Sequence, residues 1–138
     1  MPTETEWYLE DRVFISRAVG DITMEELVSM DRVLETYIKQ GKAPVHWILD
    51  TRKIGKPYLN LGLARKTFAI LRSDEFGWAI VCVAQSNRLM SFLATTVGQI
   101  LGVRYRLVQN LEEAEVFLQE RDSSLNFEHV NQKYSHVS

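Results

Sequence analysis

Seven consecutive residues after Gly77, Trp78-Ala79-Ile80-Val81-Cys82-Val83-Ala84, carry no polar side chain. A half-exposed strand alternates apolar with polar, whereas a strand buried on both faces of a covered sheet reads as one continuous apolar run. A second short run, Val45-His46-Trp47-Ile48-Leu49, is closed by Asp50. Behind it comes a polar, basic connection, Thr51-Arg52-Lys53-Ile54-Gly55-Lys56-Pro57-Tyr58, and then Leu61, Ala64, Phe68 and Leu71 at helical spacing. This reads as strand, loop, helix, with the loop outside the carboxyl end of a strand, where α/β proteins usually place their functional site.

The rest of the chain repeats that alternation. Trp7-Tyr8-Leu9 and Arg12-Val13-Phe14-Ile15-Ser16 are β-rich runs around Glu10-Asp11 and predict an antiparallel hairpin. Thr23 and Glu26 have capping-box spacing, and Met24, Leu27, Val28, Leu34, Tyr37 and Ile38 share one helical face behind them. Gly41 is expected to stop this helix in a left-handed conformation, with Pro44 preventing its resumption. Ser86 is expected to cap a helix carrying Met90, Leu93, Ala94, Val97 and Leu101, ended by Gly102. Met90 and Phe92 are read with its core face. Tyr105 and Leu107 alternate with Arg104 and Arg106 as a half-exposed strand. Asn110 and Glu113 repeat the capping pattern before Leu111, Ala114, Phe117 and Leu118.

The expected order is β-β-α-β-α-β-α-β-α: a single α/β domain with a mixed sheet of about five strands and four helices. The domain is expected over residues 1–121. Residues 122–138 are expected as a polar tail that is loose or weakly docked.

Composition narrows function mainly by exclusion. The 138 residues carry a net charge of −2, which gives no reason to expect a nucleic-acid partner. No apolar run approaches the roughly 18 residues that span a bilayer. The acidic start, Met1-Pro2-Thr3-Glu4-Thr5-Glu6, does not read as a signal peptide. Cys82 is the single cysteine, which suits a reducing cytoplasm. His46, His129 and His136 form no metal-ligand spacing, and Ser86 and Ser91 lack a nucleophile-elbow context. No acid, base and nucleophile assemble from these residues, so neither an enzyme nor a metal or cofactor is expected. The positive feature is the basic loop. Arg52, Lys53 and Lys56 precede a helix start and Arg65 lies inside the helix, an arrangement that favours an anion. Asp50, Thr51, Arg52, Lys53, Lys56, Tyr58, Asn60 and Arg65 are the candidate binding residues.

Three stretches carry a family resemblance: Gly20-Asp21-Ile22-Thr23 opening the first helix, Trp47-Ile48-Leu49-Asp50 as the central strand, and Arg106-Leu107-Val108-Gln109-Asn110-Leu111-Glu112-Glu113-Ala114. Over roughly residues 6 to 120 the chain resembles the STAS domain, the family of sulfate-transporter and anti-sigma-factor-antagonist domains, and most of all its stand-alone SpoIIAA-like bacterial members. The resemblance implies a SpoIIAA-like fold and a non-catalytic regulatory module with a protein partner, a second copy of the chain included. In the antagonists a phosphorylatable serine opens the helix after the central strand. Its position falls here on Leu59 or Asn60, or on Tyr58 with a one-residue slip, and the acidic residue before it is missing. A Ser/Thr phospho-switch at that helix start is therefore not expected, and Asn60 suits an N-cap instead. The alternative reading is a small-molecule binding protein that holds an anionic or lipid-like ligand between the Thr51–Arg65 segment and an apolar pocket.

Overall fold

The computed structural model describes residues 3–57, 62, 65–66 and 68–130. Five strands form one mixed sheet in the order β1-β2-β3-β4-β5. They are β1 (Thr3–Leu9), β2 (Val13–Gly20), β3 (Val45–Ile54), β4 (Phe76–Cys82) and β5 (Tyr105–Val108). β1 runs antiparallel to β2, and every later pairing is parallel. The hairpin turn carries Asp11 at φ 66°, a left-handed position that aspartate tolerates better than most residues. The expected mixed α/β sheet is the sheet observed.

Among the described residues, three α-helices have defined bounds: α1 (Met24–Gln40), α2 (Arg88–Leu101) and α3 (Leu111–Arg121). The helix expected from Leu61 to Leu71 lies largely outside the described residues. Gly62, Arg65 and Lys66 are helical, but Phe68 is a turn and Ala69–Arg72 winds as 3-10. Both capping patterns form: Thr23 accepts from the Glu26 N–H and Asn110 from the Glu113 N–H. Glu113 returns its bond to the N–H of Gln109. α2 is capped by Asn87, one residue after the expected Ser86, through a bond from the Met90 N–H. Gly102 ends α2 at φ 68°, as expected. Gly41 does not use a left-handed conformation; its φ is −82°. The site needs glycine because a Cβ would lie 2.5 Å from the Asp11 carbonyl oxygen.

Alternating side chains divide the core into two layers. Val13, Ile15, Ile48, Ile80 and Cys82 face α3, where Tyr8, Phe117 and Leu118 cover them. Phe14, Trp47 and Ala79 face α1 and α2, with Leu34, Ile38, Phe68, Leu71 and Leu101. The first part of the stretch expected as a loose or weakly docked tail packs onto the domain. Leu125 is buried in the α3-side core, and Phe127 and Val130 pack against it. The remainder, residues 131–138, lies outside the described residues.

Candidate functional site

The α1/α2 face of the sheet is incompletely filled. A cavity of about 200 Å³ lies between it and the helices. Its floor is Ala18 of β2, Trp47, Leu49 and Thr51 of β3, and Ala79 and Val81 of β4. Its roof is Leu27 and Met30 of α1 with Met90, Leu93, Ala94 and Val97 of α2, and Ile22, Ile54 and Pro57 border it at the carboxyl ends of β2 and β3. Several of the lining residues are small: Ala18 and Ala79 on the strands and Ala94 on α2. Protein interiors normally close such gaps.

A bulge decides which residues of β3 meet this chamber. Arg17 pairs with Asp50 and Val19 with Lys53, so β3 spends three steps where β2 spends two. An extra residue reverses the alternation beyond it. The lining runs Trp47, Leu49, Thr51 and then Ile54, where strict alternation would have brought Lys53. The bulge thus exchanges a lysine for an isoleucine at the rim.

This geometry disperses the residues expected to act together. The segment read as a loop from Thr51 is strand as far as Ile54. Asp50 does not end the strand; it accepts from Nε and Nη2 of Arg52, at 2.9 Å each, and from the Arg52 backbone N–H. Burial alone would raise the Asp50 carboxyl, but these bonds outweigh it and hold the group below its usual range. Arg52 is therefore committed to its neighbour. Thr51 is buried, lines the chamber, and donates to the Cys82 carbonyl at 2.7 Å. Lys53 and Lys56 are exposed and do not line it. The Lys56 N–H is bound by Asp21, and its carbonyl accepts from Ile22, which pins the loop after β3 to the start of α1. Arg65 is exposed, and Tyr58, Leu59 and Asn60 lie outside the described residues.

The opposite face carries the buried polar cluster. His46 accepts the Trp78 N–H at Nδ1 and donates from Nε2 to Asp122 at 3.0 Å. Asp122 also takes Arg12 at 2.7 Å and the Ser124 hydroxyl. Burial lowers the His46 pKa despite the carboxylate beside it. Burial works the other way on Asp122, but bonds from His46 and Ser124 and the Arg12 charge bring its carboxyl down to about 2. Both ring nitrogens are thus occupied by the fold, and the cluster fastens the chain end to β2 and β3. Cys82 is buried, which pushes its thiol up to about 12 and leaves it inert. Among the described residues no three His, Cys, Asp or Glu side chains come together as a metal site, and no helix is long and apolar enough to cross a membrane.

The sequence points to the loop cations and gives no sign that Glu26, Ile54, Ala79 and Ala94 line a chamber. Glu26 was legible only as a capping residue. The signal in the sequence was alanine at strand and helix positions that patterning reads as ordinary core. Phe92, read with the core, is 57% exposed, while Met90 turns into the chamber.

No family model matches the chain, and no curated protein matches it. Among solved structures it is similar to an uncharacterized protein of the DUF3478 family from Shewanella loihica PV-4, described as having a SpoIIAA-like fold. The similarity has a TM-score of 0.60 at 14% identity, over 84% of this chain and 91% of that one. The likeness in fold agrees with the resemblance carried by Gly20–Thr23, Trp47–Asp50 and Arg106–Ala114: this chain is a divergent α/β domain with the SpoIIAA-like fold.

Proposed function

We propose that the protein is a non-catalytic, STAS-like module that binds a small, largely apolar ligand between its sheet and helices α1 and α2. The chamber carries this reading. Its volume exceeds the ~150 Å³ of an engineered apolar cavity that stays dry and admits benzene, and its lining is almost wholly apolar with a few polar side chains at its border, the usual make-up of a small-molecule site. The non-catalytic part is supported by the commitment of His46, Asp122 and Cys82 to the core.

A protein partner is the second reading, favoured by a specific feature. Leu89 is 63% and Phe92 57% exposed at the start of α2, the same helix that roofs the chamber. A partner bound there would sit against an element whose packing depends on ligand occupancy.

Titration with an environment-sensitive apolar dye tests the proposal. The wild-type chain is expected to bind one dye per chain, and Ala94→Leu, which fills the chamber, to lose binding while remaining folded. Equal binding by both proteins would move the ligand elsewhere.

A further inference from the structure

We infer that the chamber accepts a ligand whose polar end donates a hydrogen bond, an alcohol, phenol or amine, and turns away a carboxylate of the same bulk. This rests on the chamber being a ligand site, and it specifies the chemistry of that site. Among the described residues the chamber's polar side chains are few, and at the β1 and β3 positions their protons are already given. Thr3 donates its hydroxyl to Glu26 at 3.1 Å. The Thr51 hydroxyl goes to the Cys82 carbonyl at 2.7 Å, and the Trp47 indole N–H to Ser16 at 3.0 Å. A threonine hydroxyl has one proton, so Thr3 and Thr51 present only lone pairs to anything that enters.

Glu26 contributes an acceptor of its own. Its two oxygens take Thr3 and, more loosely at 3.4 Å, Thr23, and a carboxylate has about four lone-pair sites. It lines the chamber at the sheet edge where Thr3 pairs with Ala18. Among the described residues the one further lining hydroxyl, that of Tyr105, belongs to β5 at the opposite edge of the sheet, where its ring is packed against Gly98. The cations that would recognise an anion are kept out. Arg52 is paired with Asp50, and the bulge in β3 sends Ile54 rather than Lys53 to the rim. An anionic head entering beside Glu26 would meet a like charge and lone pairs, while a donor would find an acceptor already in place. A void of ~150 Å³ holds benzene, so the 200 Å³ available here suits a single ring with one small substituent or a chain of similar bulk.

Three ring probes separate this from the parent reading: p-cresol, toluene and benzoate, titrated at pH 7 into 15N-labelled full-length protein. p-Cresol is expected to bind about tenfold more tightly than benzoate and severalfold more tightly than toluene, the scale of one hydrogen bond to a charged acceptor. Shifts should centre on Leu49, Ala79, Ala94 and Val97. Glu26→Gln, which keeps the helix cap and an acceptor but removes the charge, should cut the benzoate deficit to about threefold or less. Glu26→Leu should abolish the advantage of p-cresol over toluene. Equal affinity for all three probes, or a preference for benzoate, would overturn the donor rule while leaving the chamber a ligand site. Failure of all three to bind at millimolar concentration, in protein that folds normally, would overturn the site and the rule together.

Discussion

On the α3 face of the sheet, Ile15, Ile48 and Ile80 stand side by side on neighbouring strands in register. Phe117 closes over that side with its ring edge-on to Trp78, and Arg106 and Arg121 lie over the Phe117 ring at 5.3 and 4.8 Å. On the α1/α2 face, the next residues of the same strands give a different row. Phe14, Trp47 and Ala79 are in register, followed by Ser16, Leu49 and Val81. Two of the aromatic rings stack, 6.1 Å apart, and fill the amino-terminal half of that face. Toward the carboxyl ends the side chains shrink and the chamber opens. A sheet supplies two faces from one alternating pattern, so the contrast comes from side-chain volume alone. One face is built for stability, and the other gives up packing where a ligand would enter.

The largest test of this contrast is truncation on each face. Ile48→Ala removes a fully buried side chain from the packed layer and is expected to cost about 3–4 kcal/mol in urea unfolding. Leu93→Ala removes a chamber wall and is expected to cost less than half as much, because Leu93 borders space that is already empty on one side. Equal costs would break the distinction.

The next test is acid. Asp122 has a folded pKa of about 2 against an ordinary 3.8. A depressed carboxyl contributes stability that is fully present above the unfolded value and is lost as pH falls through the folded one. Asp122→Asn is expected to lower stability at pH 7 by about 2 kcal/mol, with the deficit shrinking between about pH 4 and pH 2. His46, lowered by burial from 6.5, adds a loss in the same direction below about pH 6.5, as the unfolded chain takes up the proton first. Dye binding in the chamber should be unchanged at pH 7, since the cluster lies on the other face. Loss of binding would mean the two faces are coupled.

The smallest expected change in stability sharpens the boundary of the chamber. Ile54→Lys returns to the rim the charge that the bulge excludes. It is expected to alter stability by no more than about 1 kcal/mol, since Ile54 is only partly buried, and to weaken apolar dye binding about tenfold. A variant that binds dye as well as the parent would remove Ile54 from the site.

Much of this architecture is legible in the sequence because it is local. Trp78–Ala84 announces a covered strand, and Thr23 with Glu26 and Asn110 with Glu113 mark helix starts by spacing alone. What escapes is non-local. Arg52 and Lys53 read as loop because they are charged, yet they sit on a strand whose end pairs with Val19 and Gly20. The residue after α3 looks like the start of a tail, yet Asp122 reaches His46 across 76 positions of sequence. The chamber is harder still, because a missing volume has no periodicity. Ala79 and Ala94 fit a core pattern as well as valine or leucine would, and only the folded chain shows that both border an unfilled space.

The most direct measurement is therefore the same substitution on both faces. Ala114 of α3 is fully buried in the packed layer, and Ala94 roofs the chamber from α2. Equilibrium urea unfolding of Ala114→Leu and Ala94→Leu should give opposite results. Overpacking at Ala114 is expected to cost about 1–3 kcal/mol. Filling at Ala94 is expected to be neutral or to stabilise by up to about 1 kcal/mol. Destabilisation of both variants by similar amounts would mean that the α1/α2 face is packed in solution and that the chamber does not exist as described.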